Sequence, residues 1–151
     1  MKTSIFKGLI LFFLTLQISA FSKPTANINE KVLKTFEAAF PNAAQVSWRE
    51  EGENYFVHFK LGEVTSEIQY DHQGNFISSF RYYSNPSLLP LQLVCKLNKK
   101  FVGKSVYGIT EYSTDSDTVY YIKLEDATTF TTVKATEDGA MSVTEKFEKQ
   151  R

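Results

Sequence analysis

The sequence predicts an α+β fold, a tandem α-β-β-β-β repeat that forms an antiparallel sheet of about eight strands with two helices packed on one face. Three observations predict it. Two segments carry apolar residues at helical spacing, each is followed by four short alternating runs, and the two halves superimpose by counting.

The first helical segment is NINEKVLKTFEAAFPN, where Val32, Leu33, Phe36, Ala39 and Phe40 form one stripe. Asn27, with Glu30 three residues on, fits a capping box, and Pro41 closes the helix. The runs AQVSWRE, NYFVHFKL, VTSEIQYD and NFISSFRYY follow as strands, rich in β-branched and aromatic residues and divided by glycine or aspartate. In LGEV, Gly62 and Glu63 suit a two-residue type II′ loop, which sets Leu61 opposite Val64, Phe59 opposite Ser66, Val57 opposite Ile68 and Tyr55 opposite Tyr70. A helix should cover that face. The other face then pairs Lys60 with Thr65, His58 with Glu67 and Phe56 with Gln69. A tight turn in YDHQGNF brings Tyr70 to Phe76 and Glu67 to Ser79, with Arg81 diagonal to Glu67.

The second helical segment, SLLPLQLVCKLNKKFVG, repeats the stripe with Leu93, Val94, Leu97 and Phe101. Ser87 can cap it, Pro90 falls in the tolerated first turn, and Gly103 ends it. Its strands are SVYGITEY, TVYYIKLE, TTFTTVKAT and AMSVTEKF. Leu33, Phe36, Phe40, Val46 and Trp48 map onto Val94, Leu97, Phe101, Tyr107 and Ile109 at an offset of 61; Tyr55, Val57, Phe59, Ile68 and Gly74 map onto Tyr120, Ile122, Leu124, Val133 and Gly139 at an offset of 65. The four extra residues therefore sit in the first hairpin of the second copy, where YSTDSDT replaces EEGEN, and a turn is where a duplicated unit tolerates insertion. The copies span residues 27–83 and 87–149 and are expected to form one compact domain.

Residues 1–22 have the three zones of a secretory signal: Lys2 and Lys7, the apolar run GLILFFLTL, and small residues ending ISAFS. The apolar run is too short to span about 30 Å of hydrocarbon. Cleavage after Ala20 or Ser22 is expected, no cysteine is placed there to accept a lipid, and the protein should be periplasmic or secreted without stable membrane insertion. Removing the segment leaves 15 basic against 17 acidic side chains, a balance without the basic footprint that nucleic acid requires. Cys95 is the only cysteine, so the fold must be held by its core rather than by disulfides.

The stretches VLKTFEAAFPNAAQVSW, YFVHF and IQYDHQGNF resemble the exported PepSY-like proteins grouped with the β-lactamase-inhibitor-like (BLIP-like) fold of Bacteroidetes-type bacteria. The resemblance rests on Phe40, Pro41, Asn42, Ala43, Val46, Trp48, Tyr55, Phe59, Tyr70, Asp71, Gly74 and Asn75. It is specific over residues 32–76 and degenerate in the second copy, which lacks the Pro-Asn pair and the tryptophan. The resemblance implies a fold similar to that of modules that bind or inhibit other proteins. Its motif residues are core and turn positions, so it supplies no catalytic residue.

His58 and Glu67 form the one acid-base couple that the register brings together, and a solvated cross-strand pair is the reading preferred over a hydrolase or metal site. Asp115 and Asp117 in STDSDT lack the glycine and distal glutamate of a calcium loop. No cofactor or metal is expected. The exposed sheet face is the stronger candidate. Repeat symmetry places Phe56, His58, Lys60, Glu67, Gln69, Ile77, Arg81 and Tyr83 on it with Tyr112, Tyr121, Lys123, Phe130, Thr132 and Lys134. Five of these fourteen are aromatic and four are Lys or Arg, a mixture that favours recognition over plain solvation. Phe56, His58, Lys60, Arg81, Tyr83, Tyr121, Lys123, Phe130 and Lys134 are the candidate contacts of a protein or peptide partner. Edge strands or the aromatic face also admit a homodimer. For the signal segment, the exported protein should begin at Phe21 or Lys23, and intact-mass measurement of the purified mature chain checks this; a mass that includes residues 1–22 overturns it.

Overall fold

A computed structural model of the chain describes residues 27–150, so the expected signal segment lies outside the described residues. The elements run α1 (Glu30–Ala39), β1 (Ala44–Glu51), β2 (Asn54–Leu61), β3 (Val64–Asp71), β4 (Phe76–Tyr83), α2 (Leu91–Lys100), β5 (Ser105–Thr114), β6 (Thr118–Glu125), β7 (Thr129–Thr136) and β8 (Met141–Glu148), with a short 3-10 turn at Pro86–Leu88. All eight strands join one antiparallel sheet in chain order. The α+β layout is as the alternation predicts.

Turn chemistry sets the meander. Gly52-Glu53 and Gly62-Glu63 each close a two-residue hairpin, pairing Glu51 with Asn54 and Leu61 with Val64. Positive φ at the glycine alone, +60° and +61°, matches the type II′ loop. The β3–β4 turn is built by Asp71, whose carboxylate accepts the backbone N–H of Gln73 (2.9 Å) and of Asn75 (2.8 Å). Gly74 sits there at φ +85°, close enough to α1 that an added Cβ would lie 3.2 Å from Val32. In the second half the turn from Thr136 to Ala140 repeats the backbone bonding of Asp71 to Asn75: the first residue's N–H donates to the carbonyl of the fifth, and the glycine N–H donates to the carbonyl of the first.

Each helix covers its own half of the sheet. Val32 and Phe36 of α1 are buried with Tyr55, Val57, Phe59, Ile68 and Tyr70, and Phe36 meets Trp48 (5.3 Å) and Phe59 (5.0 Å) edge-on. Leu93 and Leu97 of α2 are buried with Ile109, Ile122, Leu124 and Val133. A buried side chain of this size contributes about 2 kcal/mol, so two such clusters hold the fold without disulfides. Three side chains of α2, Gln92, Lys96 and Lys100, also donate to the carbonyls of Glu137, Asp138 and Met141, tying α2 to the β7–β8 turn.

The helix caps differ from the sequence expectation. Asn29, not Asn27, caps α1 by accepting the Lys31 N–H at 2.9 Å. Ile28 just before it is buried in the same cluster that Leu33 packs against, a hydrophobic staple that fixes where the helix starts. Ser87 does not cap α2. It donates to Asn85, which caps the 3-10 turn, while Pro90 is the N-cap residue of α2 with no side-chain cap.

Bulges supply the larger correction. Tyr70 does pair with Phe76, but Gln69 pairs with Ser78, so β4 holds one extra residue, Ile77, at that step. Glu67 therefore faces Phe80 rather than Ser79. A one-residue slip exchanges the faces of a strand. Arg81 and Tyr83, expected on the open face, lie on the helix side: Arg81 pairs with Ser66 and Glu111, Tyr83 pairs with Ile109, and Tyr83 joins the core around α2. Tyr107 is likewise the extra residue of β5, and Val106 instead packs against the core where the repeat count put Tyr107.

Where β4 meets β5, Glu111 is only 8% exposed. Arg81 Nη1 donates to both of its carboxylate oxygens (2.9 and 3.2 Å), and the Tyr83 hydroxyl donates to Oε2 (2.9 Å). Burial, and then the Glu111 charge, push the Tyr83 phenol above its ordinary range, so it remains a donor. Arg81→Met should destabilise the protein by on the order of 2 kcal/mol, because it strands a buried carboxylate. Adding Glu111→Gln should recover most of that loss, since a neutral amide oxygen still accepts from Tyr83. Urea unfolding of the single and double variants checks this, and a double variant no more stable than Arg81→Met overturns it.

Candidate recognition face

The face away from the helices is open, and its side chains follow from the corrected register. On β4 and β5 it presents Phe80 opposite Tyr112 and Tyr82 opposite Thr110. Phe80 is 47% exposed and Tyr82 is 52% exposed, and the rings of Phe80 and Tyr112 lie 4.7 Å apart. Tyr82 lies across Gly108, where an added Cβ would come within 3.0 Å of its hydroxyl oxygen; glycine is needed here for the ring's close approach. Tyr121 pairs with Thr110 on one side and Lys134 on the other. Tyr107 meets Phe130 edge-on at 5.3 Å, and Phe130 pairs with Phe147 of β8. Aromatic side chains thus run from the middle of the sheet to its β8 edge.

Cations are interleaved with these rings. Lys123 Nζ stands 4.7 Å from the centre of the Phe130 ring and 5.4 Å from that of Tyr107. Lys149 Nζ lies 4.6 Å from the Phe130 ring and pairs with Glu125 at 2.8 Å. Toward the β1 edge of the same face Arg49 covers Phe56 at 4.1 Å, is paired closely with Glu51 and approaches Glu67 at 3.7 Å. Contacts of this kind contribute about 0.5–1 kcal/mol each at exposed sites. They hold the rings in fixed positions. Lys60, Lys123 and Lys134 are exposed and have no ion-pair partner among the described residues.

Of the candidate contacts, Phe56, His58, Lys60, Tyr121, Lys123, Phe130 and Lys134 are on this face, while Arg81 and Tyr83 are not. His58 is exposed and opposite Glu67, which Arg49 also draws on; Phe80 and Tyr82 share a shallow depression of about 240 Å³ with that pair. Lys134 is beside Tyr121 in register, but the rings of this face that cations cover are Phe56, Tyr107 and Phe130. Six contributors were missed: Arg49, Phe80, Tyr82, Tyr107, Phe147 and Lys149. Arg49 alternates with the core residues Val46 and Trp48 of β1 and could have been found by parity alone, whereas Phe147 shares the parity of core-packed Met141 and reaches the open face only through the β8 bulge at Thr144. Asp115 and Asp117 lie at the exposed tip of the β5–β6 hairpin, and among the described residues no three His, Cys, Asp or Glu side chains gather to hold a metal.

A second concavity lies on the helix side. It is an apolar groove of about 480 Å³ whose walls include Phe40, Phe59, Leu61, Val64, Ile68 and Phe76, with Arg81 also lining it. Glu111 neutralises the Arg81 charge there.

No family model matches the sequence, and no curated protein matches it significantly. Solved structures do match the fold. A BLIP-like protein from Bacteroides fragilis NCTC 9343 superimposes with a TM-score of 0.59 at 14% identity, over 82% of this chain and 86% of that one. A DUF2874 family protein from Bacteroides ovatus ATCC 8483 gives 0.58 at 14% identity, over 82% and 89%. A protein from Bacteroides eggerthii DSM 20697, whose name places it provisionally in the periplasm, gives 0.57 at 12% identity, over 82% and 90%. The expected likeness to BLIP-like proteins of Bacteroidetes type holds for the fold. Among the described residues no helix is long and apolar enough to cross a membrane.

The β6–β7 turn delivers Phe130 to the face, and Asp126 organises it. Its carboxylate accepts from the Lys104 ammonium, from the N–H groups of Thr128 (2.9 Å) and Thr129 (2.7 Å), and from the Thr129 hydroxyl (2.9 Å). Lys104 first, and then those N–H groups, hold the carboxyl well below the usual carboxylate range. A depressed folded-state pKa stabilises the protein in full above the unfolded value of about 3.9, and that stability is lost as pH falls below it. Asp126→Asn should therefore lower stability at neutral pH and shallow its decline on acidification below about pH 4. Urea midpoints across that range check this; an unchanged acid slope overturns it.

Proposed function

We propose that this protein is an exported, non-enzymatic binding module that holds a protein or peptide partner on its open sheet face. The observation that carries the reading is the run of aromatic side chains, with Phe80, Tyr82, Tyr107 and Tyr121 exposed and Tyr112 and Phe130 partly so, interleaved with Lys123 and Lys134, which have no acidic partner among the described residues. Solvation alone does not call for such a stripe on a monomer. Aromatic anchors rimmed by cations are the composition of interface centres, and the fixed rings would lose little conformational freedom on binding. Lys60, Lys123 and Lys134 select for a partner with carboxylates beside apolar side chains. The signal-like N-terminus and the fold shared with BLIP-like and DUF2874 proteins support export and a binding role.

A hydrolase or metal enzyme centred on His58 and Glu67 has less support, because the pair sits in a shallow depression open to water, and among the described residues no third metal-ligating side chain gathers there. Phe80→Ser, Tyr82→Thr and Tyr121→Ser together should leave the unfolding midpoint nearly unchanged and abolish cross-linking to the partner in the native envelope, read by mass spectrometry. Undiminished cross-linking to the same protein overturns the reading.

A further inference from the structure

We propose that the β8 edge is a self-complementary strand, and that the partner it fits is a second copy of this chain. β8 ends the sheet and hydrogen-bonds to β7 on one side only. Lys149 turns its N–H inward to the Thr128 carbonyl at 2.7 Å, so by alternation Phe147 and Glu145 also bond inward, and the backbone groups of Lys146 and Glu148 point outward.

A two-fold axis at Phe147 pairs this edge with its copy in antiparallel register. Lys146 then meets Glu148 of the second copy, and Glu145 meets Lys149, each relation occurring twice by symmetry. Phe147, 58% exposed in the single chain, faces its counterpart on the open side of the sheet. The 146–148 pairs fall where outward backbone groups exchange both hydrogen bonds, and the Phe147 pair falls where side chains approach most closely.

Register is decided by charge. Sliding the copy by one two-residue step sets Lys146 against Lys146 or Glu148 against Glu148, and like charges directly opposite each other destabilise a sheet. Only the Phe147-centred register places opposite charges together throughout. Glu145, Lys146 and Glu148 have no ion-pair partner among the described residues of one chain, so the Lys146–Glu148 pairs satisfy charges otherwise left to solvent, and Glu145 joins Glu125 beside Lys149. The opposite edge is blunted. β1 is bulged between Ala44 and Ser47, with Gln45 at φ +54°, whereas the β8 bulge lies at Thr144, outside the charged run.

Sedimentation velocity over a range of protein concentration tests this, with reductant present because Cys95 is exposed. The wild-type sedimentation coefficient should rise with concentration. Lys146→Glu alone, and Glu148→Lys alone, should each raise the dissociation constant by roughly tenfold or more, and the combined exchange should restore it. A wild type that stays monomeric overturns the proposal, as does association that the single reversals leave unchanged or that the double exchange fails to restore.

Discussion

The single extra residue in β4 decides what each face of this sheet can do. Hydrogen bonding forces Tyr70 onto Phe76 at the Asp71 turn and Gln69 onto Ser78 one step later, and Ile77 absorbs the difference. Everything beyond it follows from the parity of the strand. Arg81 and Tyr83 turn toward the helices and converge on Glu111, which places a buried acid where β4 crosses to β5. Phe80 and Tyr82 turn the other way and join Tyr112. One bulge thus gives the seam between the two halves a polar tie beneath and an aromatic surface above.

Across that seam the halves are held by more than backbone pairing, and Tyr83 and Val64 of the first half also pack against the cluster around α2. Each half has its own cluster, around Val32 and Phe36 in one and around Leu93 and Leu97 in the other. A buried acid at such a junction stabilises little in itself, but it penalises any register that separates Glu111 from Arg81. Above it, Phe80 packs against Tyr112 and Tyr82 lies across Gly108, so the rings form a pre-set surface on rigid strands, which reduces the ordering cost of an encounter.

Much of the architecture was legible because alternation, glycine turns and the offset between copies all point the same way. The two-residue loops, the pairing of β2 with β3 and both helix stripes follow from local chemistry. The bulges do not. Ile77 and Tyr107 look like ordinary strand residues, and their displacement comes from hydrogen bonds to the neighbouring strand, not from anything in their own side chains. The face was therefore read correctly on β2, β6 and β7, and wrongly on β4. The α1 cap was misplaced for a related reason: two asparagines stood two residues apart, and the burial of Ile28 between them chose the second.

Every strand pairs with its neighbour in sequence, and the buried residues of the first cluster all lie between Ile28 and Tyr70. No contact in that cluster waits for the C-terminal half of the chain. A polypeptide emerging N-terminus first can therefore complete its first hydrophobic unit while the second is still being made. The finished unit offers β4 as a template on which β5 can start. Local pairing of this kind keeps loop-closure entropy small, so the order in which the chain is delivered and the order in which its sheet assembles coincide.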